Sequence, residues 1–409
     1  MTARLFDPLT LPNGSILSNR IVKAAMEENM AGPGQLPGEE LFELYRRWSA
    51  GGAGLLVSGN VMVDRRALTG PGGVVLERDT PLDSFRRWAA AGKQNGAQFW
   101  LQISHPGRAI QADMGGNVWA PSAVALNLGK HSKLFGQPRA MTEAEIAEVI
   151  QRFADSAKRA EQAGFDGVEL HGAHGYLLSQ FLSPLSNQRT DAWGGSLENR
   201  ARFLLDVVRA IRTVVKPGFG VGVKLNSADF QRGGFDVADA RQVVRWLNEL
   251  AVNLVEVSGG TYESPAMQGR TADQRTLARE AYFLEFARDI AAVATMPVMT
   301  TGGIRRREVA EEVLTAGVSL VGIATGLALV PDLASQWRSA NTPAPQQAIP
   351  QWKDKAMVAA ATIALTRRQL QRMGRGVAPA LGESPLWALL SDRVRLKWLT
   401  RRYRRWLHQ

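Results

Sequence analysis

Short apolar runs alternate along the chain with longer stretches in which apolar residues recur every three or four positions, a pattern that predicts parallel strands separated by helices. The runs are Ile21 to Met26, Leu55 to Val61, Ala97 to Ser104, Gly167 to Leu170, Val221 to Asn226, Leu254 to Val257, Pro297 to Thr301 and Leu320 to Ala324. Eight strand and helix units close most simply into an α/β fold of the (β/α)8 TIM-barrel type. Thr142 with Glu145 reads as a capping box that opens a helix running to Ala163. Leu197 to Val215 places Phe203, Val207, Val208 and Ile211 on one helical face. Pro12-Asn13-Gly14 between Leu9–Leu11 and Ile16–Leu17 predicts an N-terminal β-hairpin that plugs the barrel floor. Longer excursions at Pro106 to Arg139 and Gly172 to Ser196 follow the third and fourth strands and suit substrate lids.

The alternation stops near Ala340, beyond a barrel assigned to residues 1–340, and a proline-bearing linker leads into an extension over 341–409. That extension holds 13 Lys and Arg against three acids, Asp354, Glu383 and Asp392, and so carries nearly all of the net charge of +11. Its end places Val394, Trp398, Leu399, Tyr403, Trp406 and Leu407 on an approximate apolar helical face among arginines. Trp398 and Trp406 are expected to dock this helix onto the barrel or a second subunit of a homo-oligomer. The competing expectation is peripheral contact with an anionic membrane surface. A nucleic-acid partner is not expected, because no recognised binding module accompanies the charge. The apolar run Ala356 to Leu365 is about half a bilayer span.

With 409 residues, 45% of them apolar, the chain can bury a large core. Absence of cysteine excludes disulfides, thiolate metal sites, cysteine-ligated iron-sulfur clusters and cysteine nucleophiles. The five histidines lack metal-ligand spacing, so no metal site is expected. No signal peptide is readable at the start, which makes a cytoplasmic location the expectation. His171, His174 and Tyr176 follow the fourth strand, at the end where a parallel barrel carries its chemistry. Two imidazoles and a phenol together can donate hydrogen bonds to a developing oxyanion and deliver a proton.

The segments PNG at 12–14, NRIV at 19–22, HPGR at 105–108, HGAHGYLLSQFLSP at 171–184, NQRTDAWGGSLENR at 187–200, VSGG at 257–260 and TGG at 301–303 occur in fixed order between Leu5 and about Trp337. Together they resemble the old yellow enzyme family of FMN-dependent NAD(P)H oxidoreductases, in its single-domain form. The resemblance implies FMN at the barrel mouth, NADH or NADPH as hydride donor, and a small electrophile, an activated alkene, as substrate. His171 and His174 would bind the substrate oxygen and Tyr176 would protonate carbon. Ala24, Ala25 and Met26 would cover the flavin ring, Gln102 would pair with its pyrimidine edge, and Gly302 and Gly303 would cradle the phosphate. An amine or alcohol dehydrogenase, or a flavin-bearing membrane scaffold with little turnover, are the alternatives.

Three positions depart from the family pattern. Lys224 stands where an arginine near the flavin N1 and O2 is usual, keeping the charge without the planar fork. Ala324-Thr325 replaces a pair whose arginine grips phosphate, so the expectation is either weaker FMN binding or substitution by another cation, Arg305 or Arg306. Glu27 stands where a threonine or cysteine adjusts the flavin O4, so the expectation is either an outward-pointing carboxylate or a lowered potential. Substrate shape is expected from the loops Gln111 to Arg139 and Thr261 to Arg279.

Overall fold

In a computed structural model, which describes residues 4–266 and 280–409, the apolar runs form parallel strands. They are β1 (Ile21–Lys23), β2 (Leu55–Val57), β3 (Gln98–Ser104), β4 (Gly167–Gly172), β5 (Gly220–Asn226), β6 (Leu254–Ser258), β7 (Val298–Thr300) and β8 (Leu320–Ile323). Each pairs with the next, β8 pairs with β1, and β3 pairs with β4 through Glu169 opposite Gln102, so the eight strands close into a barrel. Two expected boundaries shift. β1 stops at Lys23, so Ala24 to Met26 leave the barrel as extended chain, and Ser58 to Asn60 interrupt the second run before a short strand at Val61–Met62.

Side chains alternate between the helices outside and the barrel interior. Toward the floor the interior is apolar: Val22, Leu55, Val57, Trp100, Leu254, Met299 and Leu320 pack against Leu11 and Leu17 of the N-terminal hairpin. The hairpin pairs Leu9 with Leu17 and Thr10 with Ile16. Trp100 fills the space that β4 and β5 leave open by having no side chain: a Cβ at Gly220 would lie 2.3 Å from its ring, and one at Gly167 2.7 Å. Chemistry is therefore confined to the opposite end, because the floor is packed solid.

The extension forms two helices, Lys355–Gly374 and Pro385–Leu407, folded back against the barrel. Leu370 and Met373 join the main core, and Gly374 runs so close to Glu40 that a Cβ would meet its carbonyl oxygen at 2.6 Å. Tyr403 is fully buried and donates to the carbonyl of Arg65 at 2.7 Å, while the Arg65 guanidinium lies 5.0 Å from the Trp406 ring. Arg395 donates to the Asn29 carbonyl and Arg402 to that of Ala31, each at 2.6 Å. Two of the thirteen basic residues thus cap carbonyls of the loop leaving β1, and Arg367, Arg368, Arg372 and Arg375 pair with carboxylates.

One expectation is corrected. Trp398 does not dock: it is 59% exposed and contacts Arg402, on the same outer side as exposed Trp387, Leu390 and Val394. Helical spacing puts Leu399 and Tyr403 on the opposite face, and these carry the docking instead. Among the described residues, no helix is long and apolar enough to cross a membrane.

Candidate active site

β4 delivers Glu169 and His171 into the barrel, and the chain then turns through His174 and Gly175 before the short helix Leu177–Leu182. His174 adopts a left-handed φ of 62°, a conformation that costs a non-glycine residue energy and is held here by its backbone N–H bonded to Asn226 Oδ1 at 3.1 Å. The turn stacks three rings. His171 lies 5.0 Å from His174 and 4.7 Å from Tyr176, both edge-on. The Tyr176 hydroxyl meets that of Tyr262 at 3.2 Å. His171 Nδ1 accepts from the Ala173 N–H, which puts the imidazole proton on Nε2, and His174 Nε2 bonds Ser258 Oγ at 2.7 Å.

Burial, reinforced by the Lys224 ammonium, holds both histidines well below the usual imidazole range. They are neutral hydrogen-bond donors at neutral pH. Burial pushes Tyr176 well above the ordinary phenol value and Tyr262 up to about 12. Both phenols keep their protons.

Beneath this layer, Gln102 donates to Glu169 Oε2 at 2.7 Å and Lys224 pairs with Glu256 Oε1 at 2.7 Å. Burial, then the Glu256 charge, push Glu169 well up, so that it holds a proton. That proton faces the Glu256 carboxylate, and among the described residues Ser104 Oγ is buried without a hydrogen-bond partner. An amide and an ammonium as donors, beside carboxyl oxygens and a hydroxyl that can accept, are the mixture that a flavin pyrimidine edge requires. The Ala24–Met26 segment adds an apolar edge, with Ala24 buried and its N–H on the Ile323 carbonyl.

The phosphate end is built differently. Gly302 and Gly303 adopt left-handed φ values of 115° and 73°, and the Tyr282 ring packs on them: a Cβ on Gly303 would lie 2.5 Å from its hydroxyl. Arg305 and Arg306 gather on Glu280, which accepts from both backbone N–H groups and pairs with both side chains. Ala324 precedes the short helix Thr325–Leu329, and Thr325 is exposed. Positive charge is present, and Glu280 is its partner.

Glu27 does not stand as an isolated carboxylate. Its Oε1 accepts from Thr69 at 2.7 Å, and its Oε2 pairs at 2.7 Å with Arg367 of the first extension helix.

Other recognised segments brace the site. Gln180 donates to the carbonyls of Pro106 and Gly175 and accepts from the Arg108 N–H, tying HPGR to the turn after β4. Arg108 bonds Glu263 at 2.7 Å, joining the excursion after β3 to the segment after β6. Asn187, Arg189 and Arg200 spend their side chains on backbone carbonyls and carboxylates. Of the expected specificity loop Thr261 to Arg279, residues 267–279 lie outside the described residues. Tyr262, Glu169, Glu256 and Arg367 were missed by sequence reasoning, since no local spacing marks them, and Ser258 lies in the recognised VSGG segment without having been given a role.

Comparison with known proteins fits this arrangement. The family model described as NADH:flavin oxidoreductase / NADH oxidase matches residues 4–341. The chain belongs to this family. It is 38% identical over 346 residues to the NADH-dependent flavin oxidoreductase iliE of Hypocrea jecorina, covering 79% of this chain and 86% of that one. It is 41% identical to its namesake from Neonectria sp., covering 78% of this chain but 44% of that longer protein. The old yellow enzyme homologue of Zymomonas mobilis superposes with a TM-score of 0.71 at 25% identity, covering 83% of this chain and 94% of that one. As an old yellow enzyme family member, the chain takes FMN, with NADH or NADPH as hydride source.

A stability prediction arises at His105. Burial lowers it to about 4, although Asp64 opposes, and its Nδ1 accepts from the Gly107 N–H. The unfolded chain takes up this proton near pH 6.5, the folded one only near 4. The stabilisation is therefore complete above pH 6.5 and is lost as the pH falls toward 4, by up to about 3 kcal/mol. Urea unfolding at pH 7.5 and 4.5 should show the loss, and His105→Gln should lessen it; an equal loss in the variant would refute this assignment.

Proposed function

We propose that the chain is an ene-reductase, acting on alkenes made electron-poor by a neighbouring carbonyl or nitro group. One observation carries this reading: two imidazoles kept neutral by burial stand edge-on beside a paired phenol. Bound FMN supplies a ping-pong hydride relay from the nicotinamide to the alkene. Ala24, Ala25, Met26, Gln102 and Lys224 would hold its ring end. Gly302, Gly303, Ala324 and Thr325, with Arg305 and Arg306, would serve the phosphate end. The NADH dependence named in the two fungal relatives supports NADH as the donor.

His171, by Nε2, and His174 donate to the substrate oxygen and stabilise the charge that grows there, as an oxyanion hole does. Neutral imidazoles suit this task because each donates without giving up its proton. Tyr176 delivers a proton to carbon, and Tyr262 orients its hydroxyl. The roof made by Arg108–Glu263 and by Phe135, whose ring is 5.5 Å from that of Tyr262, limits water at the reacting atoms.

The deciding experiment is an anaerobic visible spectrum of FMN-loaded protein. NADH should bleach the flavin band, and cyclohexenone should restore it. Failure to retain FMN, or bleaching that no enone reverses, would overturn the reading; reduction by amines without nicotinamide would make the chain an amine dehydrogenase.

A further inference from the structure

The sequence departs from its family at Glu27, and the structure pairs that residue with a partner 340 positions away. Glu27 leaves the end of β1 at the barrel mouth. Arg367 reaches it from the first extension helix, and its other arm bonds Asp392 of the second at 3.2 Å. Thr69 completes the carboxylate's coordination and accepts from Asn60 Nδ2 at 3.1 Å. The three ionised side chains are 14%, 27% and 10% exposed, for Arg367, Glu27 and Asp392 in turn. A carboxylate so enclosed is costly unless a cation stays beside it.

We propose that the C-terminal extension is a working part of the active site, with Arg367 as the positioning residue that fixes and offsets Glu27 at the barrel mouth beside the Tyr176–Tyr262 pair. This rests on the ene-reductase reading with FMN at that mouth.

The fields of Glu27 and Arg367 both reach Tyr176 and Tyr262, with opposite signs. Asp392 also faces Arg367, and Arg395 lies within reach of Asp392. An unpaired carboxylate at the mouth would oppose any negative charge that builds up during reaction, whether on the substrate oxygen or on the reduced cofactor. With Arg367 in place, the mouth tolerates that charge. Arg395 and Arg402 of the second extension helix donate to the Asn29 and Ala31 carbonyls, so that helix is anchored to the chain that follows Glu27.

The test compares wild-type, Arg367→Met, Arg367→Lys and Glu27→Gln proteins, each loaded with FMN. The midpoint potential of the flavin and the separate kcat and KM for cyclohexenone are read, with thermal melting as a check on folding. Arg367→Met should lower the potential by about 30 mV, a tenfold change for a two-electron couple. It should lower kcat about tenfold with little change in KM. Arg367→Lys should recover most of both, and Glu27→Gln should move the potential the other way. A folded Arg367→Met protein with wild-type potential and kcat would overturn the proposal. Should that variant not fold, Glu27→Gln decides alone, since it leaves the Arg367–Asp392 pair intact: an unchanged potential overturns it. Wild-type protein that binds no FMN would instead defeat the ene-reductase reading on which the proposal rests.

Discussion

Tyr176→Phe should abolish most alkene reduction while leaving the oxidation of NADH by the loaded enzyme in the absence of alkene unchanged. The phenol is the proton donor in our reading, and general acid catalysis of this kind contributes about 10²–10⁴-fold. Among the described residues the Tyr176 hydroxyl has one hydrogen-bond partner, the Tyr262 hydroxyl at 3.2 Å, so the substitution removes a single hydrogen bond and leaves the Tyr262 hydroxyl without it. Burial keeps both phenols protonated, so the loss should be constant from pH 6 to 9 (about the range where an ordinary phenol also stays protonated). Stopped-flow measurement of the two half-reactions separates the outcomes. Retained alkene turnover in Tyr176→Phe, with loss in Tyr262→Phe, would transfer the role to Tyr262.

The second large effect is expected at the imidazoles. Removing either His171 or His174 should cost about 10²–10³-fold in alkene turnover, the usual scale for one oxyanion donor. The combined variant should cost less than the product of the two, because residues that act on one oxygen are not independent. The pH dependence carries a sharper test. Burial and the Lys224 charge lower both imidazoles well below 6.5, so they remain neutral as the pH falls through 6.5. Alkene reduction should show no transition there. A limb near pH 6.5 that disappears in His171→Asn would mean that an imidazolium does the work. The Ser258 hydroxyl at His174 Nε2 offers a subtler probe, since Ser258→Ala frees the ring to choose its tautomer and should weaken turnover without touching the substrate.

The site divides by what is local and what is not. His171, His174 and Tyr176 could be placed from sequence because His171 lies at the end of β4 and the other two follow it directly, and the end of a parallel strand is a place defined by periodicity alone. Tyr262 lies 86 residues further on and meets Tyr176 only because β4 and β6 end at the same rim. Gln102 and Lys224 could be assigned to the interior by alternation, yet their partners Glu169 and Glu256 sit on neighbouring strands in facing register, which period-two patterning does not rank. The basic extension illustrates the limit most fully. Its charge was evident in the sequence, but charge alone does not distinguish arginines that face solvent from those that cap carbonyls and pair with carboxylates.

By itself, then, the sequence determined the eight-stranded barrel, its plugged floor, the end that carries chemistry and the family, because each depends on short-range periodicity or on contiguous motifs. Only the tertiary structure decided what Glu27 pairs with, which face of the last helix docks, and which phenol pairs with Tyr176. These are contacts between segments far apart in the chain, set by how strand register and helix packing bring their ends together, and no local pattern of residues encodes that distance.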